Sequence, residues 1–259
     1  MPKQQKNRRY WTLHRLGLLS GFLLLLFILL SSFDVIRVKT ITFYSTDSLL
    51  ITADEYTVSE DHPYVVLFHE QGSSRGEFKT VARRLCKMDY NCLAVDLRNG
   101  GSNEYVSNET ARRCREKRCA AGRDGVEGDM KSAIQYAFLK SDRGVVLFGS
   151  GLNGSLSLKM ATENELVKAV VALSPGEYFL PDLSIQDTIA DLKKPVFITS
   201  SLSEFPYTEK LASSVDKQYL TLFKPQLGEG GRGTSALTSS NENSSEYWLA
   251  LLLFFKDLI

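Results

Sequence analysis

The 259-residue sequence predicts an α/β fold: a doubly wound, mostly parallel sheet with an N-terminal antiparallel hairpin, preceded by one transmembrane helix. Three observations carry this. Short continuous apolar runs such as PYVVLFHE, VVLFGS and KAVVAL read as strands buried on both faces. Segments of helical periodicity alternate with them, which implies right-handed crossovers and a parallel sheet covered on both sides. Leu16 to Phe33 holds no charge in eighteen positions, enough at about 1.5 Å per residue to reach roughly the ~30 Å of a hydrocarbon core.

Lys plus Arg (31) nearly balances Asp plus Glu (30), with 24% charged and 43% hydrophobic residues. That profile excludes a disordered chain, a collagen-like fibre, a multi-span membrane protein and a globally basic nucleic-acid binder. The charge is unevenly placed. Lys3, Lys6, Arg8, Arg9 and Arg15 precede Asp34 with no acid among them, so 26 basic residues face 30 acidic ones in the remainder, a net −4. The positive-inside rule then keeps a tail over 1–15 cytoplasmic, makes 16–33 a signal anchor and exports the body over 34–259. A cleaved signal peptide is the rival, but the small residues expected before a cut are missing from LLSSFDV.

Ile36 to Tyr44 and Leu49 to Ala53, separated by Ser-Thr-Asp-Ser, form the expected hairpin of β-branched and aromatic residues. PYVVLFHE follows as a buried strand and Gly72 to Gly76 breaks it. Phe78, Val81, Ala82 and Leu85 then recur at helical spacing, and CLAVDLR is the next strand. After a long polar loop, Asp124 to Lys140 places Val126, Met130, Ala133, Ile134 and Ala137 on one helical face. VVLFGS, a helix over Leu152 to Ala161, KAVVAL, a short helix over Ile185 to Leu192, PVFITS and a strand over Gln218 to Phe223 continue the alternation. EYWLALLLFFKDL closes the chain as an apolar helix, too short for a second span and expected to pack on the sheet.

Export makes the four cysteines candidates for disulfides, with Cys114 and Cys119 placed for a local bridge in the polar loop. Cys86, on a helix, and Cys92, opening a strand, fit equally as buried thiols. Their spacing matches no zinc knuckle and no histidine follows His69, so no metal and no cofactor is expected.

Functional groups in such sheets collect where strands end and helices begin. VVLFGSGLNGSLSLKMA is a strand, a glycine-flanked turn and a helix, the setting of a nucleophile elbow. Here the chain resembles the α/β-hydrolase superfamily, particularly its dienelactone-hydrolase-like and lipase-like members without a large cap. LFHEQGSSRGEF is similar to that family's third strand and oxyanion-hole loop, NCLAVDLRNGGSN to its VDxRGxGxS segment and VVLFGSGLNGSLSL to its G-x-S-x-G elbow. KAVVALSPGEYF and PVFITSSLSE resemble the two strands after it, so the likeness runs over residues 36–259.

The resemblance puts Gly149 and Asn153 at the elbow glycines and Gly151 at the nucleophile, Arg232 of QLGEGGRGTSAL at the histidine, and Ser203 at the acid, with Glu204 as a substitute. All three triad positions are altered. Arginine stays protonated and cannot act as a general base. The only histidines are His14, His62 and His69, all before the elbow, whereas the family order ends on histidine. The implied protein is a pseudo-hydrolase that binds or regulates.

Two rearranged sites stand as alternatives. Ser150 borders the elbow position. Ser74 in GSSRG satisfies G-x-S-x-G between a strand and a helix, with His69 as partner, and the plainer reading makes this the oxyanion-side loop. The segment ARRCREKRCAAGR holds Arg112, Arg113, Arg115 and Arg118; with Arg232 it forms either a basic mouth for an anionic ligand or protein partner, or a solvated loop braced by a disulfide. Nucleic acid is not an expected partner of an acidic, exported body. Sequons stand at Asn108, Asn153 and Asn243.

Overall fold

The computed structural model describes residues 35–258; the tail over 1–15 and the expected span over 16–33 lie outside the described residues. Among the described residues no helix is long and apolar enough to cross a membrane. Residues 36–259 form one compact unit.

The hairpin opens the fold. β1 (Arg37–Tyr44) pairs antiparallel with β2 (Leu50–Thr57), which runs four residues past the sequence reading because Asp54 to Thr57 pair onward along β1. The parallel strands are β3 (Tyr64–Phe68), β4 (Asn91–Val95), β7 (Val145–Ser150), β8 (Val167–Leu173), β9 (Val196–Thr199) and β10 (Leu220–Phe223). With the hairpin they form one eight-stranded sheet in the order β1-β2-β4-β3-β7-β8-β9-β10.

The apolar runs alternate between two cores because successive strand side chains point to opposite faces. Val65, Leu67, Val146 and Phe148 face one layer, built on α1 (Lys79–Cys86) and the terminal helix, α7 (Ser244–Lys256). Val66, Phe68, Val145 and Leu147 face the other, formed by α3 (Arg123–Ser141), α4 (Gly151–Glu163) and the short α5 (Ile185–Thr188). Each such fully buried side chain contributes about 1.5–3 kcal/mol of hydrophobic free energy. The terminal helix packs as expected through Tyr247, Trp248, Leu251, Phe254 and Phe255.

Three elements differ from the sequence reading. The long polar loop holds a two-residue hairpin, β5 (Ser102–Asn103) with β6 (Val106–Ser107), and then α2 (Glu109–Lys117), capped by the Asn108 side chain on Ala111 N–H. Cys114 therefore sits on a helix, and it is bridged to Cys119 just beyond the helix end. The expected helix over 185–192 shortens to α5 followed by a 3-10 turn. An unforeseen helix, α6 (Phe205–Ala212), begins with Pro206 in its first turn, where a missing N–H costs nothing.

Register fixes the functional rim. Ser150 pairs with Leu173 and Leu173 with Thr199, so the residues that follow, Gly151, Ser174 and Ser200, line up at the carboxyl edge of the sheet. The three sequon asparagines are 1%, 0% and 3% exposed at 108, 153 and 243, so the folded chain offers none of them to a glycosyltransferase.

Candidate functional site

β7 turns into α4 through Gly151, whose φ of +56° lies in the left-handed region. Glycine enters that region without the Cβ penalty of other residues. The close approach behind the elbow belongs to Gly154, whose Cα lies 2.7 Å from where a Cβ on Gly149 would stand. Asn153, placed by the resemblance at the second glycine, instead turns its amide under the rim, donating to His69 O at 2.5 Å and accepting from Asn99 at 2.9 Å.

The space above Gly151 is taken. A Cβ added there would run into the Glu70 carboxylate, which reaches over from the loop after β3. Glu70 Oε1 accepts from Arg232 Nη2 at 2.7 Å, and the Glu70 N–H donates to Glu77 at 3.0 Å. Arg232 also bonds Glu204 through Nη1 and the Tyr178 hydroxyl through Nη2 at 3.2 Å. Glu204 in turn accepts from Ser174 Oγ at 2.8 Å and from Ser201 Oγ at 3.1 Å.

The positions expected at base and acid are thus in contact, but as an ion pair. Glu204 makes that contact, while Ser203 reaches only the Ser201 hydroxyl, at 3.1 Å. The physical reason is length: a glutamate spans the distance to the guanidinium that a serine cannot. The hydrogen bond to Glu70 raises the Arg232 pKa above its ordinary value, against the smaller opposing effect of partial burial. Arg232 is a fixed cation, able to orient carboxylates and unable to accept a proton. Glu77, bonded to Thr234 at 2.8 Å, adds a third carboxylate, so the rim is acidic around its single arginine.

The fallback nucleophiles are held differently. Ser74 caps the 3-10 turn after β3, accepting from Gly76 N–H at 3.2 Å and donating to Val106 O at 2.7 Å, and it is fully buried. His69 Nε2 accepts the Leu97 N–H at 2.9 Å, which leaves the proton on Nδ1 to donate to Glu70 O at 2.8 Å. Neither ring nitrogen faces a serine, and no hydrogen bond joins His69 to Ser74 or Ser150. Ser150 is fully buried, and its hydroxyl has no hydrogen-bond partner among the described residues. It lies beside Gly233, where a Cβ would strike it.

Asp96, two residues before Arg98 in CLAVDLR, is buried and does not pair with it. It accepts from Arg75 Nη1 at 2.6 Å and from the Arg75 and Glu109 N–H groups, each at 2.8 Å. Burial raises its pKa, with the Arg75 contacts opposing. Arg98 instead forms ion pairs with Asp129 at 2.7 Å and Asp47 at 2.6 Å.

The basic segment does not converge on Arg232. Arg112 is engaged by Glu109 and Glu116, and Arg113 donates to Leu50 O and Thr52 on the hairpin. Arg115, on α2, and Arg118, just past its end, are exposed. None of the four shares a hydrogen bond or ion pair with Arg232, whose partners are Glu70, Glu204 and Tyr178.

Sequence reasoning overlooked Glu70, Ser174 and Tyr178. Glu70 stands next to His69 in the very segment matched to the oxyanion loop, but its partner lies 162 residues away. Ser174 carries a signal, a polar residue between a buried strand and Pro175; it adopts φ +51° and holds both Glu204 and the Gly233 N–H, the latter at 2.9 Å.

Strand order, elbow and rim define a hydrolase-type α/β fold. The dienelactone hydrolase family profile matches residues 50–221, and the chain belongs to that family. No curated protein matches it in sequence. Among solved structures it is similar to the Pyrococcus furiosus esterase Pf2001, at 17% identity and a TM-score of 0.65 over 86% of this chain and 91% of that one. A dienelactone hydrolase from Anabaena variabilis gives 16% identity and 0.65 over 86% and 98%. The acylaminoacyl peptidase of Pyrococcus horikoshii gives 18% and 0.60 over 88% of this chain and 42% of that longer one. At these identities the likeness is one of fold.

Proposed function

We propose that this chain is a membrane-tethered, exported member of the dienelactone hydrolase family that has lost hydrolysis and acts by binding or regulation. One observation carries the reading: at the nucleophile position Gly151 has no side chain, and the Glu70 carboxylate, tied to Arg232, covers the place where one would stand. Catalysis of this kind needs an activated nucleophile and a group that takes its proton. The rim offers carboxylates committed to a cation, and the buried histidine is committed to backbone. The Cys114–Cys119 bridge supports export, since such bonds persist in oxidising compartments. The uncharged run Leu16 to Phe33 supports the tether. Of the basic segment, Arg115 and Arg118 remain open to an anionic ligand or protein partner.

A second reading, an esterase or peptidase-like hydrolase, is favoured by the family membership and by the unpartnered Ser150 hydroxyl. Labelling of the full chain with a serine-reactive fluorophosphonate separates the two. The proposal expects no stoichiometric adduct; an adduct abolished by Ser150→Ala or Ser74→Ala would replace it with the second reading. A third role, as a structural component of a membrane complex, predicts a detergent-stable assembly that survives substitution of Arg232.

A further inference from the structure

Cys86 and Cys92 are free, buried thiols in the structure. We infer that exchange with a disulfide oxidant joins them in a second disulfide that staples α1 to the central strand β4. The two residues are the last of α1 and the second of β4, joined by a five-residue connection, 87–91. Two contacts set each sulfur against the other residue's surroundings. Cys92 Sγ lies 3.6 Å from Ala82 O, one turn before Cys86 on the same face of α1. Cys86 Sγ reaches Tyr56 O at 4.0 Å, and Tyr56 is the residue of β2 directly paired with Cys92. Both belong to one apolar core cluster, and among the described residues no group of three or more His, Cys, Asp or Glu side chains could hold a metal ion.

The chemistry is asymmetric. The neighbouring Cys92 thiol lowers the Cys86 pKa despite its burial, whereas burial drives that of Cys92 well up. Cys86, at the helix end and 3% exposed, is the attacking sulfur. Its thiolate opens the S–S bond of the oxidant, forming a mixed disulfide and releasing one thiol. Cys92 then gives up its proton and attacks the Cys86 sulfur, releasing the second thiol. Two protein thiols are oxidised to one disulfide and one oxidant disulfide is reduced to two thiols. Closure ties down the helix that follows the loop carrying Glu70 and Glu77, so it braces the rim from behind. The inference does not rest on the proposed loss of activity or on the tether.

The test uses the full chain, purified and equilibrated in a buffer of oxidised and reduced glutathione. The sample is quenched in acid, unfolded, alkylated with iodoacetamide without reductant, digested and weighed. The expected result is an intact mass lower than that of the reduced chain by four hydrogens, two per bridge, with a cross-linked Cys86–Cys92 peptide and no label on either residue. In the Cys114→Ser/Cys119→Ser double variant the same peptide forms, which excludes scrambled pairing. In Cys92→Ser, Cys86 is trapped as a mixed disulfide with glutathione. Alkylation of both Cys86 and Cys92 in a chain whose Cys114–Cys119 bridge is closed overturns the inference, as does pairing of either with Cys114 or Cys119.

Discussion

Among the arginines clasped by two carboxylates, Arg98 and Arg232 stand at opposite extremes of exposure. Arg98 is 1% exposed in its side chain, with Asp129 at 0%, and it bonds Ser45, Asp47 and Asp129 to lock the turn of the hairpin onto α3. Arg232 is 49% exposed and joins Glu70 to Glu204 across the functional rim. Identical chemistry therefore does two jobs. A buried pair left with one member imposes an uncompensated charge on the interior, while an exposed one is screened by water and exchanges partners at little cost. The first clasp belongs to the scaffold, and the second lies at the site proposed to act in binding.

The largest effect should come from breaking the buried clasp. Asp129→Ala strips Arg98 of its buried counter-charge and removes the acceptor of the Arg98 N–H, and should lower unfolding free energy in urea by about 3–5 kcal/mol. A loss below about 1 kcal/mol would mean that Asp47 and water suffice, and the contrast with the rim would fail.

Next is the elbow. Gly151→Ser forces a side chain into the left-handed region and against Glu70, and should cost roughly 1–3 kcal/mol. Adding Glu70→Ala should recover part of that loss by clearing the collision. No recovery would mean that backbone strain alone sets the penalty. Esterase activity in a Gly151→Ser/Glu70→Ala/Arg232→His variant would show that the rim retains its catalytic geometry.

A smaller effect is expected in acid. The Arg98 hydrogen bond holds the Asp47 carboxyl down to about 2, below its ordinary value. A depressed carboxylate contributes stability that is present above the unfolded-state pKa and lost as pH falls through the folded one. Wild type should thus lose more stability than Asp47→Asn between about pH 4 and pH 2, by about 1 kcal/mol once the exposure of Asp47 is allowed for. Smallest of all, Arg232→Gln should change stability by about 0–1 kcal/mol. A drop matching that of Asp129→Ala would make the rim cluster a structural element and remove its claim to function.

The fold was legible because its strands are buried on both faces. Runs such as VVLF and KAVVAL have no other comfortable place, and their spacing leaves room for one crossover helix each. α6 carries only a weak signal: Phe205, Thr208, Leu211 and Ala212 repeat at helical spacing, but the helix is just eight residues long. α2 was hidden by its charges: only Thr110, Ala111 and Cys114 are buried in it, and the signal available was local, an Asn108 cap and an Arg112–Glu116 pair one turn apart. Gly151 and Arg232 could be located from the motifs around them. What fills the gap at Gly151 could not, since Glu70, Arg232 and Glu204 meet only after the five strands from β3 across to β10 have been laid side by side. Asp96 shows the same non-locality: its nearest cation in sequence is Arg98, and its partner in space is Arg75.

Asn108 is the cap of α2, and its amide also donates to Leu97 O and Ser73 O, at 2.9 Å and 3.3 Å, next to His69. A sugar joined to that nitrogen would have to be in place before the surrounding backbone closed, and would then hold it open. In a host that decorates secreted chains, carbohydrate at residue 108 would accordingly tag the molecules that never matured, and the bare species would be the folded one.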